Sequence, residues 1–237
     1  MKKNTMIIAG PCAIESESQL DKVAKSLSKM GIKFLRGGTF KGRTNPSSFQ
    51  GLGIKGLEIL SRIGKKYKMK TVTEILDPRE IKTATKYVDI IQIGARQMQN
   101  YPLLKEAGKS QKTIILKRGM SSTIEELLMA ANYIKKESKS EVILCERGIR
   151  TFENHVRFTL PLATVPYIKQ TTDFKIIVDP SHGTGNSNLV IPMSKAAIAA
   201  GADGLMIEVH PNPKKAMSDG QQSLTIEQFK NLLKELR

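Results

Sequence analysis

The chain has 237 residues, which fits one large α/β domain or two small ones. Its hydrophobic content of 40% and charged content of 25% are typical of a globular protein with a full core. No apolar run approaches the roughly 20 residues that span a bilayer, and the two cysteines, Cys12 and Cys145, argue against a disulfide framework. We therefore expect a cytoplasmic protein without a membrane partner.

Positive charge dominates the composition, with a formal net charge of +16. Nucleic acid, anionic small substrates, or lysines on solvated helix faces such as Lys22, Lys25 and Lys29 could each account for it. Five Tyr, seven Phe and no Trp leave few rings for base stacking, and no basic run exceeds two residues. A nucleic-acid-binding protein is therefore a remote alternative.

Short β-branched runs alternate with longer amphipathic segments along the chain. The predicted strands are Met6–Ala9, Lys33–Arg36, Met69–Thr73, Asp89–Ile93, Thr113–Lys117, Glu141–Cys145, Lys175–Val178 and Gly204–Val209. The predicted helices are Ser16–Lys29, Gly51–Lys66, Pro78–Lys86, Pro102–Ala107, Thr123–Lys136, Asn154–Tyr167, Ile191–Ala200 and Thr225–Leu236.

Eight strands, each followed by a helix and none followed by a hairpin, predict a parallel sheet with crossover helices. The strand count favours a closed (β/α)8 TIM barrel, with a doubly wound open sheet as the alternative. No linker or change of composition marks a boundary. We therefore expect residues 1–237 to form a single catalytic domain without a fused regulatory domain.

Basic side chains collect where the predicted strands end, at the face where a TIM barrel carries its active site. They are Arg36, Lys41, Arg43, Arg96, Lys117 and Arg147. Converging cations repel one another unless anions lie between them, and the guanidinium group suits phosphate and carboxylate oxygens. Surface ion pairs with helix acids are the alternative for each residue alone. The group together predicts substrates that carry several phosphates or carboxylates.

A second group at the same face could bind a metal ion: Cys12, His182, Glu208 and Asp219. His182 lies in Asp179–Gly185, which we expect to be a glycine-supported loop after the seventh strand. Thiolate and imidazole suit Zn²⁺ or Fe²⁺, and carboxylates also suit Mn²⁺, so Mn, Fe, Zn and Co are not distinguished. The alternatives are a buried apolar role for Cys12 and an Asx turn for Asp219.

Five motifs resemble the 3-deoxy-arabino-heptulosonate-phosphate (DAHP) synthases, in the short barrel class related to 3-deoxy-octulosonate-phosphate synthases. They are Gly10-Pro-Cys12, Phe40-Lys-Gly-Arg-Thr44 with Phe49-Gln-Gly51, Gln92-Ile-Gly-Ala-Arg96, Asp179-Pro-Ser-His182 and Glu208-Val-His-Pro211. The match runs from near residue 10 to residue 220. The resemblance implies a transferase that condenses phosphoenolpyruvate with erythrose 4-phosphate at the start of the shikimate pathway of aromatic biosynthesis.

The resemblance also implies roles for individual residues. Its metal ligands correspond to Cys12, His182, Glu208 and Asp219, matching the second group above. Its catalytic residues correspond to Lys41 as a proton donor, Glu74 as the group that orders the attacking water, and His182. Its substrate-binding residues correspond to Arg36, Lys41, Arg43, Thr44, Gln92, Ala95, Arg96, Lys117 and Arg147.

One motif bears on the choice of aldose. The family's Lys-Pro-Arg-Thr motif becomes Lys41-Gly42-Arg43-Thr44, with Gly42 in place of Pro. The octulosonate relatives typically carry Ala-Asn-Arg-Ser at this place, so Arg43-Thr44 favours the four-carbon aldose. An octulosonate synthase that uses arabinose 5-phosphate is the alternative. Related enzymes are tetramers or dimers, so we expect a homo-oligomer.

Overall fold

Eight parallel strands close into a barrel in the order of the sequence. The structure is a computed structural model, and it describes residues 5–137 and 140–236. The strands are β1 Met6–Gly10, β2 Phe34–Arg36, β3 Lys70–Ile75, β4 Ile90–Ile93, β5 Thr113–Lys117, β6 Val142–Glu146, β7 Lys175–Val178 and β8 Gly204–Glu208. The TIM-barrel prediction is confirmed, and the open-sheet alternative is wrong.

Helices follow the strands and cover the outside of the barrel. They are α1 Glu17–Lys29, α2 Gly53–Lys66, α3 Ile81–Ala84, α4 Tyr101–Lys109, α5 Ile124–Glu137, α6 Thr164–Thr171, α7 Pro180–Thr184, α8 Ser187–Ala199 and α9 Ile226–Glu235. Within residues 5–137 and 140–236, no helix is long and apolar enough to cross a membrane. The single-domain prediction covers 1–237, and residues 1–4, 138–139 and 237 of that range lie outside the described residues.

Apolar side chains leave the strands on both faces and form two cores. Every residue of β4, β6 and β8 is buried, as expected where helices pack outside and side chains fill the lumen. The lumen core contains Ile8, Val72, Ile90, Ile115, Ile143, Cys145, Ile177 and Met206. A larger core lies between strands and helices. Apolar side chains therefore fill the middle of the barrel, below the face that carries the polar strand ends.

The barrel closes where β1 pairs with β8, from Met6 opposite Gly204 to Gly10 opposite Glu208. Gly10 has a φ of 151°, and a Cβ atom there would lie 2.0 Å from the Arg36 carbonyl oxygen. A side chain would therefore separate β1 from β2. This glycine allows the first strand to deliver the next residues to the rim.

The predicted helix Asn154–Tyr167 is wrong, because the chain is irregular up to Ala163 and α6 starts at Thr164. The amide groups of Arg157 and Phe158 donate to the carbonyls of Thr184 and Gly183, so they cannot form a helical ladder. Thr159 instead forms an antiparallel bridge with Ile149.

The expected loop at Asp179–Gly185 is a short helix, α7. Pro180 occupies its first turn, where a missing amide proton is not needed, and Gly185 ends it with a φ of 68°. The following helix, α8, begins at Ser187 after the Asn186 cap, four residues before the predicted start at Ile191. Both segments are polar or rich in glycine, which is typical of loops, so the sequence predicted neither α7 nor the early start of α8.

Candidate active site and metal centre

A cavity of about 300 Å³ opens at the carboxyl ends of the strands. Of the residues predicted for the site, it is lined by Lys41, Arg43, Thr44, Glu74, Gln92, Ala95, Arg96, Lys117, Arg147, His182 and Asp219. Arg36, Cys12 and Glu208 are buried. These three residues do not line the cavity themselves, but they contact residues that do. Glu208 lies 3.4 Å from His182 and pairs with Arg36, and Cys12 contacts Asp219. The structure thus brings both predicted groups to one place.

The four candidate metal ligands converge, with their ligand atoms all within 4.8 Å of one another. Cys12 Sγ lies 3.1 Å from Asp219 Oδ2. His182 Nε2 lies 3.4 Å from Glu208 Oε1 and 3.9 Å from Asp219 Oδ2. One thiol, one imidazole and two carboxylates at these separations form a cluster that could hold a divalent metal ion.

Asp179 fixes the orientation of the His182 ring. Its Oδ1 caps α7 by accepting the His182 amide at 2.9 Å, and its Oδ2 lies 2.7 Å from His182 Nδ1 and 2.5 Å from Lys117 Nζ. Burial acts to raise the pKa of Asp179, but the charges of His182 and Lys117 outweigh it and hold that pKa well below its usual value. A carboxylate on Nδ1 leaves Nε2 directed at the ligand cluster.

The protonation states of the cluster fit a cation. Burial lowers the pKa of His182, so at neutral pH its Nε2 carries a lone pair when Nδ1 donates to Asp179. Burial, followed by the negative charge of Glu208, raises the pKa of Cys12 to about 12, although Lys41 opposes this. A divalent cation would supply the missing positive charge and displace the thiol proton. The donor set therefore suits a divalent metal.

Arg147 presents an unpaired donor beside this cluster. Its Nη1 is buried and has no hydrogen-bond partner among the described residues. Burial lowers the pKa of Arg147 to about 10, and its guanidinium lies 3.9 Å from the centre of the Phe158 ring. Buried donors are rarely left unpaired, so this group is arranged for an anionic ligand.

Lys41 lies against Cys12, with its Nζ 3.1 Å from the Cys12 sulfur. Burial acts to lower the pKa of Lys41, but the electrostatic effects of Cys12, Glu74 and Glu208 outweigh it and raise the pKa. Glu74 faces the cavity from β3 at a position where Gly94 leaves room, since a Cβ atom on Gly94 would lie 1.7 Å from Glu74 Oε1. Lys41 is thus a protonated donor close to a carboxylate.

The Lys41–Thr44 segment is tied to the metal-ligand loop. Arg43 Nη1 donates to the Ser218 hydroxyl at 2.6 Å, and Ser218 Oγ lies 3.3 Å from Cys12 Sγ. Thr44 is exposed at the cavity mouth. Arg96 is also exposed, and Gln92 is buried on β4. A phosphate bound by Arg43 would therefore lie close to Ser218, the residue that contacts Cys12.

Several residues of the site have no role in the sequence prediction. Glu146 accepts the amides of Arg147 and Gly148 with Oε1, at 2.9 and 2.8 Å, and the Arg118 guanidinium with Oε2 at 2.8 Å. This buried carboxylate therefore shapes the turn that carries Arg147. The feature of the sequence that could have identified Glu146 is its position at the end of a predicted strand. Arg157 and Gln222, which contact Asp219 and Glu208, carry no such signal, because Arg157 lies in an irregular segment and Gln222 in the short 3-10 helix Gly220–Gln222.

A larger cavity of about 820 Å³ opens at the opposite end of the barrel. It is lined by residues at the start of the strands, among them Met6, Ile90 and Lys175. Its acids already have partners: Glu141 pairs with Lys175, Asp89 accepts the Thr71 amide, and Asp203 accepts the Ile176 amide. It contains none of the clustered ligands, so the smaller cavity is the candidate active site.

The family model described as "DAHP synthetase I family" matches residues 2–237. The chain is 52% identical over 231 residues to phospho-2-dehydro-3-deoxyheptonate aldolase from Thermotoga maritima, covering 98% of this chain and 68% of that protein. It is 33% identical over 249 residues to 2-dehydro-3-deoxyphosphooctonate aldolase from Desulfotalea psychrophila, covering 98% of this chain and 88% of that one.

Solved structures are similar over the same span. The crystal structure of the Thermotoga maritima heptonate aldolase (DAHP synthase) superposes with a TM-score of 0.95 at 52% identity, covering 98% of this chain and 68% of that chain. A truncated form of 3-deoxy-D-arabino-heptulosonate 7-phosphate synthase from the same organism gives a TM-score of 0.91 at 49% identity, covering 98% and 85%.

Proposed function

Because the chain belongs to the DAHP synthetase I family, we propose that it condenses phosphoenolpyruvate, erythrose 4-phosphate and water to 3-deoxy-D-arabino-heptulosonate 7-phosphate and phosphate. This transferase reaction is the first step of the shikimate pathway. One observation supports it most strongly: the buried Nη1 of Arg147, which has no hydrogen-bond partner in the described part of the chain, shares a cavity with a cluster that could hold a metal ion. Such a site can hold an anionic substrate beside an electrophile.

Phosphoenolpyruvate would occupy the basic part of the cavity. Arg147 and Arg96 bind phosphate or carboxylate oxygens through their planar groups, and Lys117 adds a third charge. Lys117 is itself held by Asp179, which also holds His182, so the substrate anion and the ligand cluster share one support. Anchoring both ends of the substrate would direct carbon 3 of its double bond towards the aldehyde.

Cys12, His182, Glu208 and Asp219 would hold the metal ion, which we propose to be Mn, Fe, Zn or Co. When bound, a divalent cation supplies Lewis acidity towards the aldehyde oxygen. Asp179 keeps His182 Nε2 available, and Lys41 lies next to the Cys12 sulfur. Through these two contacts, Asp179 and Lys41 would influence the protonation of His182 and Cys12 before the substrate binds.

The condensation forms one carbon–carbon bond and one carbon–oxygen bond, to the oxygen of water, and breaks the carbon–oxygen bond to phosphate. Carbon 3 of phosphoenolpyruvate attacks the aldehyde carbon and water adds at carbon 2. Phosphate then leaves from carbon 2 and takes the second water proton as the ketone forms. Lys41, whose pKa is raised, gives a proton to the former aldehyde oxygen. Glu74, across the cavity, accepts a proton from the attacking water. The protein thereby returns to its starting charge once Glu74 and Lys41 re-equilibrate with solvent.

The aldose phosphate would bind at Arg43 and Thr44, at the mouth of the cavity. Arg43 bonds to Ser218 here, so a phosphate would compete for its guanidinium. Both substrates are phosphate esters that do not cross a bilayer unaided, and we therefore place the enzyme in the cytoplasm. We also propose that the barrel is the whole catalytic domain and assembles as a dimer or tetramer.

The substrate assignment is tested by measuring phosphate release from phosphoenolpyruvate with purified protein and added divalent metal. We expect turnover with erythrose 4-phosphate to exceed that with arabinose 5-phosphate. Arg147→Met should lower kcat/KM on the order of 100-fold, because it removes charge-assisted bonds to the substrate anion. Arg150→Met changes an exposed arginine three residues away and should have no effect. Faster turnover with arabinose 5-phosphate would instead assign the octulosonate activity.

A further inference from the structure

We propose that Gln222 is a positioning residue that turns the Glu208 carboxylate towards the metal-ligand cluster and couples it to Arg157. The inference rests on the metal site of the proposed function. Gln222 is fully buried, although it lies in the short 3-10 helix Gly220–Gln222, after β8. A buried amide has to find partners for its oxygen and its nitrogen, and both partners here belong to the site.

The amide of Gln222 bridges two charged groups. Its Nε2 donates to Glu208 Oε2 at 2.7 Å, and its Oε1 accepts from Arg157 Nη1 at 2.9 Å. A guanidinium only donates and a carboxylate only accepts, so a single orientation of the amide satisfies both neighbours. The reverse orientation would lose both bonds. Gln222 is therefore a directional connector between these two side chains.

This connector decides which Glu208 oxygen faces the cluster. Arg36 donates to Oε1 at 2.7 Å, and His182 Nε2 lies 3.4 Å from the same oxygen. Gln222 holds the other oxygen, Oε2. With a donor on each oxygen the carboxylate cannot rotate, and Oε1 stays directed at His182. Loss of the Gln222 amide would free this rotation and leave a buried carboxylate oxygen unpaired.

Arg157 acts on the second carboxylate ligand in the same way. Its Nη1 lies 3.3 Å from Asp219 Oδ1, while Asp219 Oδ2 faces Cys12 at 3.1 Å. One guanidinium thus occupies the outer oxygen of Asp219 directly and that of Glu208 through Gln222. Arg157 belongs to the irregular segment between β6 and α6, which supplies none of the four clustered ligands. That segment nevertheless sets the geometry of two of them.

Partners behind metal ligands typically contribute 10- to 100-fold to metal affinity. We expect Gln222→Met, which keeps the side-chain volume but removes the amide, to weaken binding of Co²⁺ about 10-fold or more. Gln221→Met is the matched control, since Gln221 is the exposed neighbour. Co²⁺ is the probe because a thiolate–cobalt absorption band reports ligation by Cys12. Its dissociation constant is measured by chelator competition, without substrates.

The coupling to Arg157 is tested by a double-mutant cycle. Arg157→Met should weaken Co²⁺ binding, and Arg157→Met with Gln222→Met should weaken it by less than the sum of the two single effects, because the bond between Arg157 and Gln222 is lost in both single variants. Additive effects would contradict the coupling. Saturating Co²⁺ should restore much of the lost kcat in Gln222→Met, which a general packing defect would not allow.

The outcomes separate this inference from the proposed function. If wild type and Gln221→Met bind no Co²⁺, the metal site is wrong and the inference fails with it. If both bind and Gln222→Met binds equally well with the same thiolate band, only the inference is overturned. Circular dichroism checks that each variant folds. Should Gln222→Met not fold, unchanged Co²⁺ affinity in Arg157→Met, altered at a partly exposed side chain, overturns the proposal.

Discussion

The two ends of the barrel differ in how deeply their ion pairs are buried. At the carboxyl end the pairs Arg36–Glu208, Lys117–Asp179 and Arg118–Glu146 have side chains at most 8% exposed. At the amino end Lys175–Glu141 and Lys169–Asp203 are exposed by 27 to 64%. Exposed pairs contribute about 0–1 kcal/mol, whereas burying an ion pair carries a large desolvation cost. Among these five pairs, burial of charge is confined to the end where chemistry is proposed.

The pairs also differ in how far they reach along the chain. Both amino-end pairs join residues 34 positions apart, one βα unit to the next. Arg36 and Glu208 are 172 positions apart and connect β2 to β8, and Lys117 and Asp179 connect β5 to β7. Arg118 and Glu146 are only 28 positions apart and join neighbouring units, so two of the three carboxyl-end pairs connect strands that are far apart in the sequence. The difference teaches that site geometry depends on the whole barrel, while the amino end is held together locally.

Removal of one cysteine at a time gives the largest expected contrast. Burial raises the pKa of both Cys12 and Cys145 to about 12, but only Cys12 of the two belongs to the ligand cluster. After chelation and restoration of metal, Cys12→Ala should lose on the order of 100-fold or more of kcat, because a metal ligand is gone. Cys145→Ala should keep most activity. Full turnover by restored Cys12→Ala would refute its role as a ligand.

Breaking one pair at each end tests the comparison on stability. Asp179→Asn leaves Lys117 buried without its counter-charge and should cost about 3 kcal/mol or more in the free energy of unfolding. Glu141→Gln opens an exposed pair and should cost less than about 1 kcal/mol. Urea unfolding measures both. Equal costs at the two ends would remove the distinction.

The same Asp179 variant predicts a pH dependence. The folded-state pKa of Asp179 is held below its unfolded value by His182 and Lys117 against the opposing effect of burial. Its contribution is therefore complete above the unfolded pKa of about 3.9 and is lost as the pH falls towards the folded value. The stability difference between wild type and Asp179→Asn should shrink below about pH 4. A difference that grows on acidification would contradict this assignment.

The smallest expected effect comes from Gly94→Ala. A Cβ atom there would meet Glu74 Oε1 at 1.7 Å, so the carboxylate has to move while the backbone can stay. We expect kcat to fall about 10-fold or more, with a change of about 1 kcal/mol or less in unfolding free energy. Gly94→Ala in a Glu74→Ala background should cost nothing further. An additional loss there would mean that Gly94 acts on something besides Glu74.

The repeating βα units can be predicted from the sequence, but the contacts between segments that are distant in the sequence cannot. Alternation of apolar runs such as Thr113–Lys117 with amphipathic helices predicts eight βα units and hence one functional rim. The helix predicted at Asn154–Tyr167 is wrong because its amides bond to α7, a tertiary contact without a local signature. The role of Gln222 depends on Arg157 from another segment, so no spacing rule identifies it.

Closure of the barrel between β1 and β8 has a kinetic consequence. Cys12 follows the first strand, whereas Glu208 and Asp219 lie on or after the last, so the ligand cluster joins the two ends of the chain. Contacts between such distant parts of the chain carry a high loop-closure entropy, so we expect them to form late in folding. If the first or last strand detached, the four ligands would no longer lie together. A bound ion would therefore stabilise the closed barrel, and its release would report the separation of β1 from β8.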